Sequence, residues 1–433
     1  MSSDTDGEDA YSGCDSDDED RYYHCEEAFD DDPAPAPAPK PTRKRRKREE
    51  VRKEPLIPKR WTAIKDSLTP REFKQAFRMT QTVFLMLFAR LLPHLPVVNQ
   101  MRSNHGRGLS GDAEPIIIDQ QIMLCFTLSY LGGARLIDLR MIYDIPEDTL
   151  RPYIWAVCDA ILTALPFSFP KDRDTWAEMS AQWQGKSANH VWEGQIGAID
   201  GCCFAQKNPG RKVTNPKDHR CERKDKYALL CIAICDSMCR FLHADFSFTA
   251  STHDSSAWDN SDLGQWFAAN GPDMWPFFLN GDDAFNPTNW MTTPSKDDDY
   301  NYVQSSNRVA IERAFGILIA RWGILWRKLE MAVARRSAVV GVCMRLHNFL
   351  ISHDPSNGSE ILSEYKVDTN GRLLVPLGSS LPPPPVDANG NPVYVSRQGQ
   401  RPQRQDPARF GPQTRIGVLQ AAVRDAAIRR HAA

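Results

Sequence analysis

Residues 195–279 contain four short apolar runs that are separated by polar turns. They read "QIGAIDGCCFAQ" (195–206), "YALLCIAICDS" (227–237), "RFLHADFSFTA" (240–250) and Trp275–Leu279. Runs of this length, rich in apolar and aromatic residues, predict β-strands. Helices are predicted at about Ser256–Asn270 and over 301–329. This order of elements predicts a mixed sheet flanked by helices, in the α+β class.

The segment before these strands has the apolar spacing of helices. The stretch "TPREFKQAFRMTQTVFLMLFARLLPHL" predicts helical structure, with Thr69 as N-cap and Pro70 at the first helical position. The stretch "IIIDQQIMLCFTLSYLGG" predicts a helix that ends at Gly132 and Gly133. We therefore expect a helical domain over residues 57–170, followed by a second domain over residues 190–353.

One pair of helices within the helical domain has two interpretations. Residues 134–165 predict a short helix, a turn at Asp144–Pro146 and a longer helix from about Glu147. This pattern is typical of a helix-turn-helix and also of an αα-hairpin in a helical bundle. Spacing alone favours the hairpin. In a helix-turn-helix, Thr149 and Arg151 would be the first residues to test for DNA contact.

The two ends of the 433-residue chain differ in composition from the part between them. Residues 1–56 combine an acidic block, a Pro-Ala repeat and a basic block, which predicts a disordered tail. The run Arg43–Arg48 predicts a nuclear localisation signal, with a solvated tail as the alternative. Residues 354–433 predict a mostly disordered tail with a basic helix at about 415–430. No apolar run reaches the length of a membrane span, so we expect no membrane partner.

Three acidic residues stand in apolar surroundings. Asp200 lies inside "IGAIDG", Asp282 follows the fourth predicted strand in "MWPFFLNGDDAF", and Glu312 lies in a helix with largely apolar neighbours. A buried carboxylate is costly unless it is paired, hydrogen-bonded or bound to a metal. Mg²⁺ prefers oxygen ligands, and two such ions roughly 3.5–4 Å apart support phosphodiester displacement. If the three acids converge, they predict a metal site of this kind.

Each acid also has an ordinary structural explanation. Asp200 precedes a glycine and could begin a turn, and Asp282 could cap a turn. Glu312 could pair with Arg308, one helical turn earlier. Spacing alone leaves the metal site and these structural roles open.

Five motifs in this part of the chain resemble a known family. They are "GAIDGCC" (197–203), "STHDSSAW" (251–258), "NGDDAFNPTNWMTTP" (280–294), "NRVAIERAFGILIARWGIL" (307–325) and "RLHNFLI" (345–351). Their order is similar to that of the PIF/Harbinger-type DDE transposases, over roughly 195–351. The upstream helices in "TLSYLGGARLIDLRMIYDIPEDTLRPYI" also look like the helical region of that family. The resemblance implies a ribonuclease-H-like fold and a cut-and-paste DNA transposase or nuclease that uses two Mg²⁺ or Mn²⁺ ions.

The resemblance also implies roles for individual residues. Asp200, Asp282 and Glu312 match the three catalytic, metal-binding acids of the family. In this match Asp282 is the ligand and Asp283 the bystander. Asp283 stands where the family usually has a small residue, which leaves it open as an alternative to Asp282. "STHD" stands where the family usually has a Gly-Ser-x-x-Asp pattern. The residues implied to orient the ligands or to contact phosphate are His253, Asp254, Asn307 and Arg308.

A basic loop joins the first two predicted strands. Its cations suit contact with a phosphate backbone, although a solvated loop has the same composition. The residues are Arg211, Lys212, Lys217, Arg220, Arg223, Lys224 and Lys226, of which Arg211, Lys212, Arg223 and Lys224 are the principal DNA-binding predictions.

Three functions agree with these observations. The first is an active transposase that binds double-stranded DNA at transposon ends and target, as a homo-oligomer and with a separate Myb-like partner, as the resemblance implies. The second is a host-adopted relative that binds DNA or protein without transposition. The third is a ribonuclease-H-type nuclease acting on RNA–DNA hybrids, which would lack the paired helices before residue 165.

Overall fold

The computed structural model describes residues 61–96, 118–187, 190–354, 366–367, 373–374 and 415–431. The predicted tail at 1–56, with its nuclear signal at 43–48, lies outside these residues, as does most of the predicted tail at 354–433. Within the described part of the chain, no helix has both the length and the apolar character needed to span a membrane.

The described part of the chain begins with short helices. They are α1 (Trp61–Ser67), α2 (Pro70–Phe77) and α3 (Gln81–Leu91). The predicted cap of α2 is confirmed, because the Thr69 hydroxyl accepts a hydrogen bond from the Glu72 amide and the Glu72 carboxylate accepts one from the Thr69 amide. Arg78 has a left-handed conformation that ends α2. It divides the predicted helical stretch into two helices.

The next helices are α4 (Gln120–Leu131), α5 (Leu136–Tyr143), α6 (Glu147–Ala164) and α7 (Arg173–Lys186). The predicted pair of helices is present as α5 and α6, and Asp144 adopts a left-handed conformation at the turn between them. This arrangement is common to a helix-turn-helix and to an αα-hairpin. Contact of Thr149 and Arg151 with DNA therefore stays a prediction.

A mixed sheet forms the centre of the second half of the chain. Its strands are β1 (Gln195–Ala205), β2 (Arg220–Cys221), β3 (Lys226–Cys235), β4 (Phe241–Asp245), β5 (Phe278–Asn280) and β6 (Met291–Thr292). The strand order is β4-β3-β1-β5-β6, with β2 also paired to β3. β3 pairs in antiparallel fashion with both β1 and β4. β5 pairs in parallel with β1, and β6 in parallel with β5. The sheet confirms the predicted α+β class and is consistent with a ribonuclease-H-like fold.

The helices that accompany the sheet are α8 (Asp254–Asp259), α9 (Asp262–Asn270), α10 (Asp298–Arg321) and α11 (Val333–His353). The single helix predicted at 256–270 is wrong, because Ser261 begins a new helix by accepting a hydrogen bond from the Gly264 amide. The helix predicted at 301–329 ends early, at Arg321. Beyond it Gly323 packs against the Gly132 carbonyl, where a Cβ would lie only 2.5 Å from the oxygen.

One apolar core joins the helical region to the sheet. It contains Phe84 of α3, Leu150 of α6, Phe204 of β1 and Phe315 of α10. The predicted domain limits themselves stay a prediction.

The predicted helix near the C-terminus is present as α12 (Arg415–His431). Ile416 and Leu419 are buried in a small cluster with Trp192, Phe278 and Tyr300. This helix therefore packs against the sheet and α10, which composition alone did not indicate.

Candidate active site

Strand register brings the first two predicted acids together. β5 runs parallel to β1, and Asn280 pairs with Ala198. Asp200 lies two residues beyond Ala198, and Asp282 lies two residues beyond Asn280. Neighbouring strands are about 4.8 Å apart. The two acids therefore lie at equivalent positions on neighbouring segments of backbone. The negative charge of Asp282 accordingly acts on the Asp200 carboxyl group.

Helix α10 supplies the third acid and a cation. Glu312 is 5 % exposed and lies on the face of α10 that packs over β1. Nη2 of Arg308 is 2.5 Å from Oε1 of Glu312, and its Nη1 is 3.6 Å from Oδ2 of Asp200. The structural pairing predicted for Glu312 is thus present. The same guanidinium also extends to Asp200, so it lies between the acids of β1 and α10.

Burial and mutual repulsion shift the pKa values of these groups. The pKa of Asp200 is raised to about 7, first by burial and then by the charge of Asp282. Burial also raises the pKa of Asp282, while Arg308 and the Ala284 amide oppose that change. Burial lowers the pKa of Arg308, but the charges of Glu312 and Asp200 outweigh it and the pKa is raised. The acids form one coupled group that Arg308 neutralises only in part.

The adjacent acids Asp282 and Asp283 have different surroundings. Asp282 is half-buried, and its Oδ1 accepts a hydrogen bond of 3.0 Å from the Ala284 amide. Asp283 is exposed. Asp282 is the one coupled to Asp200 and Arg308. This geometry favours Asp282 as a ligand over Asp283, and the assignment stays a prediction.

A fourth acid, Asp254, approaches the backbone of β1. It is the first residue of α8, and a Cβ atom at Gly201 would lie 2.6 Å from its Oδ2. Glycine is therefore needed after Asp200 for this close approach. Burial raises the pKa of Asp254, while Arg223 and Lys224 lower it. The charges in the second half of the basic loop therefore act on this fourth acid.

The other predicted residues make local contacts of their own. His253 precedes α8, and its Nδ1 is 3.3 Å from the Ser255 hydroxyl. Asn307 is buried and donates a hydrogen bond of 2.9 Å to the Val303 carbonyl, so it acts within α10. Arg211 and Lys212 lie in a separate turn at 210–212, earlier in the basic loop.

The donor set fits a hard divalent cation, although the acids are not arranged as a finished metal site. Among the residues that the structure describes, no three His, Cys, Asp or Glu side chains are placed to hold a metal ion together. Arg308 lies between two of the acids, so a cation of the protein itself occupies their centre. Carboxylate oxygens are the ligands that Mg²⁺ and Mn²⁺ prefer. The raised pKa of Asp200 shows that the group favours additional positive charge.

The acids lie in a part of the chain that matches a known family model. Residues 199–348 match the family model described as a DDE superfamily endonuclease. We call this matched part of the chain the DDE domain. It contains all three acids and Arg308.

The curated relatives are of the Harbinger type that the motifs predicted. They include the "Putative nuclease HARBI1" of Rattus norvegicus and that of Bos taurus, each 26% identical over 195 residues. The matched part is 43% of this chain and 53% of each relative, so the chain spans about half the length of the curated relatives it matches. No solved structure matches the chain significantly.

Sequence reasoning missed a buried amide network that positions the DDE domain's acids. Nε2 of Gln304 donates to Oδ1 of Asn280 and to the Gly281 carbonyl, both at 2.7 Å. Nδ2 of Asn280 donates in return to the Gln304 carbonyl at 3.0 Å. These bonds join the end of β5 to α10, and so fix Asp282 relative to Glu312. In the sequence, the feature that could have indicated this network is the polar residue Asn280 at the end of an apolar run.

Proposed function

We propose that the DDE domain cuts DNA as a divalent-metal-dependent endonuclease of the transposase type. The observation that carries the proposal is the convergence of Asp200, Asp282 and Glu312, from three separate elements, around the single guanidinium of Arg308. These three acids would hold Mg²⁺ or Mn²⁺, with two ions expected. The bound metal would activate the attacking hydroxyl and stabilise the leaving oxygen of the phosphodiester.

The protein's own side chains prepare the site for that chemistry. The hydrogen bonds between Gln304 and the end of β5 keep Asp282 beside α10. Arg308 orients Glu312 through their close ion pair. Partial burial of the acids limits their contact with solvent and strengthens the charge interactions in the site.

The basic loop provides a path for the substrate. Arg223 and Lys224 act electrostatically on Asp254, so the positive charge of the loop is felt at the site. Contacts from such cations to phosphates position DNA without reading its sequence. We infer that double-stranded DNA enters across this loop, with Arg211 and Lys212 contributing farther along it.

The wider function proposed is cutting and joining at transposon ends. The motif order and the Harbinger-type relatives support it, as does the paired-helix region at α5 and α6. Such a protein would act in the nucleus, for which the basic run at 43–48 is the supporting feature. It would act as a homo-oligomer and with a Myb-like DNA-binding partner.

Nicking of supercoiled plasmid by the purified chain in Mn²⁺ tests the proposal. We expect nicking by the natural sequence and by Asp283→Asn, and its loss in Asp282→Asn. The Asp283 variant is the matched control, because it removes the neighbouring exposed acid. Equal nicking by the natural sequence and both variants would contradict the assignment of Asp282, and the double variant would show whether either acid takes part.

The alternative is a host-adopted protein that binds DNA or protein without cutting. Intact Asp200, Asp282 and Glu312 favour the enzyme over this alternative. Terminal inverted repeats around the gene would favour an active element. No cutting of DNA that carries those repeats, even with the partner protein added, would favour adoption.

A further inference from the structure

A second concave site lies at the far edge of the sheet. A cavity of about 470 Å³ is bordered by α3, the segment that follows α6, the start of β4, and the end of α11. β4 is separated from β1 by β3, and the turn before β4 lies beyond Cys235, which pairs with Ala198 near the beginning of β1. Asp200 lies farther along β1. The cavity is therefore separate from the acids of the DDE domain.

Positive charge exceeds negative charge in this cavity. Its lining includes Arg90, Arg240 and Arg345, and among the described lining residues Asp236 is the acid. Both carboxylate oxygens of Asp236 already have partners. Oδ2 is 2.7 Å from Nε of Arg240, and Oδ1 accepts hydrogen bonds from the Met238 and Arg240 amides. The described lining therefore holds no acid to pair with Arg90 or Arg345.

The side chain of Arg345 is held in place but keeps one buried donor for a ligand. Its guanidinium lies 4.6 Å above the ring of Phe167, and Nη1 donates to the Gly341 carbonyl at 3.1 Å. These contacts hold the side chain in place. Its Nε is buried, with no hydrogen-bond partner in the described structure. Since a buried charged donor without a partner is costly, an anionic group of a ligand would stabilise this arrangement.

The rest of the lining indicates the kind of ligand. Leu165, Pro166 and Leu242 give the cavity an apolar wall beside the arginines. Inorganic phosphate or a DNA backbone would leave that wall in contact with polar groups. Base stacking is also disfavoured, because Arg345 covers Phe167 and the His353 ring stacks on Phe349 at 4.1 Å. A ligand with carboxylates next to apolar side chains complements both the arginines and the apolar wall.

We propose that this cavity is a docking site for an acidic peptide segment of a partner protein, with Asp or Glu side chains beside leucine or aromatic side chains. Arg345 and Arg90 would bind the carboxylates, and the wall at 165–166 and 242 would receive the apolar side chains. The volume falls in the range of specific binding pockets. Arginine and apolar groups together are typical of the centre of protein interfaces.

Selection of random linear peptides on the immobilised full chain tests the proposal. We expect enriched peptides to place acidic residues next to leucine or aromatic residues. One enriched peptide, labelled with fluorescein, is then titrated with the natural sequence and its variants. Arg345→Gln and Arg90→Gln should each weaken its binding about tenfold, as expected for loss of a charge-assisted hydrogen bond.

A matched control lies on the same helix. Arg335 of α11 is bound to Asp159 at 2.6 Å and stacks on Trp155, outside the cavity, so Arg335→Gln should leave peptide affinity unchanged. Arg90 is exposed, so its variant keeps the test valid if Arg345→Gln fails to fold. Enrichment without acidic residues, or equal affinity in all three variants, would overturn the proposal. Displacement of the peptide by a short DNA duplex would also overturn it, in favour of a phosphate-binding site.

Discussion

Replacing Arg308 with Gln removes the positive charge that lies between Asp200 and Glu312. Both acids are largely buried, with side chains 20% and 6% exposed. Breaking a buried ion pair by removing one partner costs about 3–5 kcal/mol. Part of this cost is relieved here, because the pKa of Asp200 is already about 7 and rises further without the arginine, so Asp200 takes up a proton. We expect the free energy of unfolding to fall by about 2–4 kcal/mol.

Urea unfolding of the full chain at neutral pH, in the presence of a chelator, measures this change. Arg313→Gln is the control, because Arg313 is an exposed residue of the same helix. Mn²⁺ should then stabilise the Arg308 variant more than the Arg313 variant, since a cation bound by the acids replaces the missing charge. An Arg308 variant as stable as the natural sequence in chelator would refute the coupled acid group. No stabilisation of either variant by Mn²⁺ would refute the metal site.

Three further predictions concern the surroundings of the site and the core. Gly201→Ala places a Cβ 2.6 Å from the Asp254 carboxylate, so we expect a loss of about 1–3 kcal/mol in urea unfolding together with reduced plasmid nicking. Gly185→Ala has open space around it and lies in α7, so it should lower neither stability nor nicking; a Gly201 variant without either loss would contradict the close approach. Gln304→Leu removes the amide donor shared by two buried oxygen acceptors at the end of β5, and Oδ1 of Asn280 keeps only the longer contact of 3.4 Å from the Thr292 hydroxyl. This should cost about 2–4 kcal/mol, and Gln304→Glu, which also lacks the donor, should not restore the bonds. Unchanged stability of the Leu variant would show that the network does not hold β5 to α10. The pKa of His347 is lowered to about 3, by burial and then by Arg321, so below its ordinary value near 6.5 the unfolded chain binds the proton first. Stability should therefore decrease as the pH falls, by about 2 kcal/mol from this group between pH 7 and 5, and His347→Gln should show a smaller decrease; equal pH profiles would contradict the neutral buried imidazole.

Local pattern explains why several elements could be predicted from sequence. The cap at Thr69, the turn between α5 and α6, and the strands β1, β3 and β4 each depend on residues close together in the chain. Capping, turn formation and alternation of apolar residues are local effects. The apolar setting of Asp200, Asp282 and Glu312 is likewise visible in the sequence, where it marks these acids as unusual.

Local pattern also explains the errors. The sequence predicts one helix at 256–270, but a side-chain cap at Ser261 divides it into two. The helix predicted to 329 ends at Arg321, because the following chain has to pass close to the Gly132 backbone, nearly two hundred residues away. Strands β2 and β6 have two residues each and exist only through pairing with a neighbour.

The sequence by itself determined which residue types carry the chemistry and in what order, because composition, spacing and motif order are properties of the chain. Tertiary structure alone decided that Arg308 contacts two of the acids, that Asp254 lies against Gly201, and that α12 packs beside Tyr300. It also brought Arg90 and Arg345 to one cavity. The physical reason is that these arrangements join elements far apart in sequence. Their meeting depends on strand register and on packing of the shared core, which no local periodicity encodes.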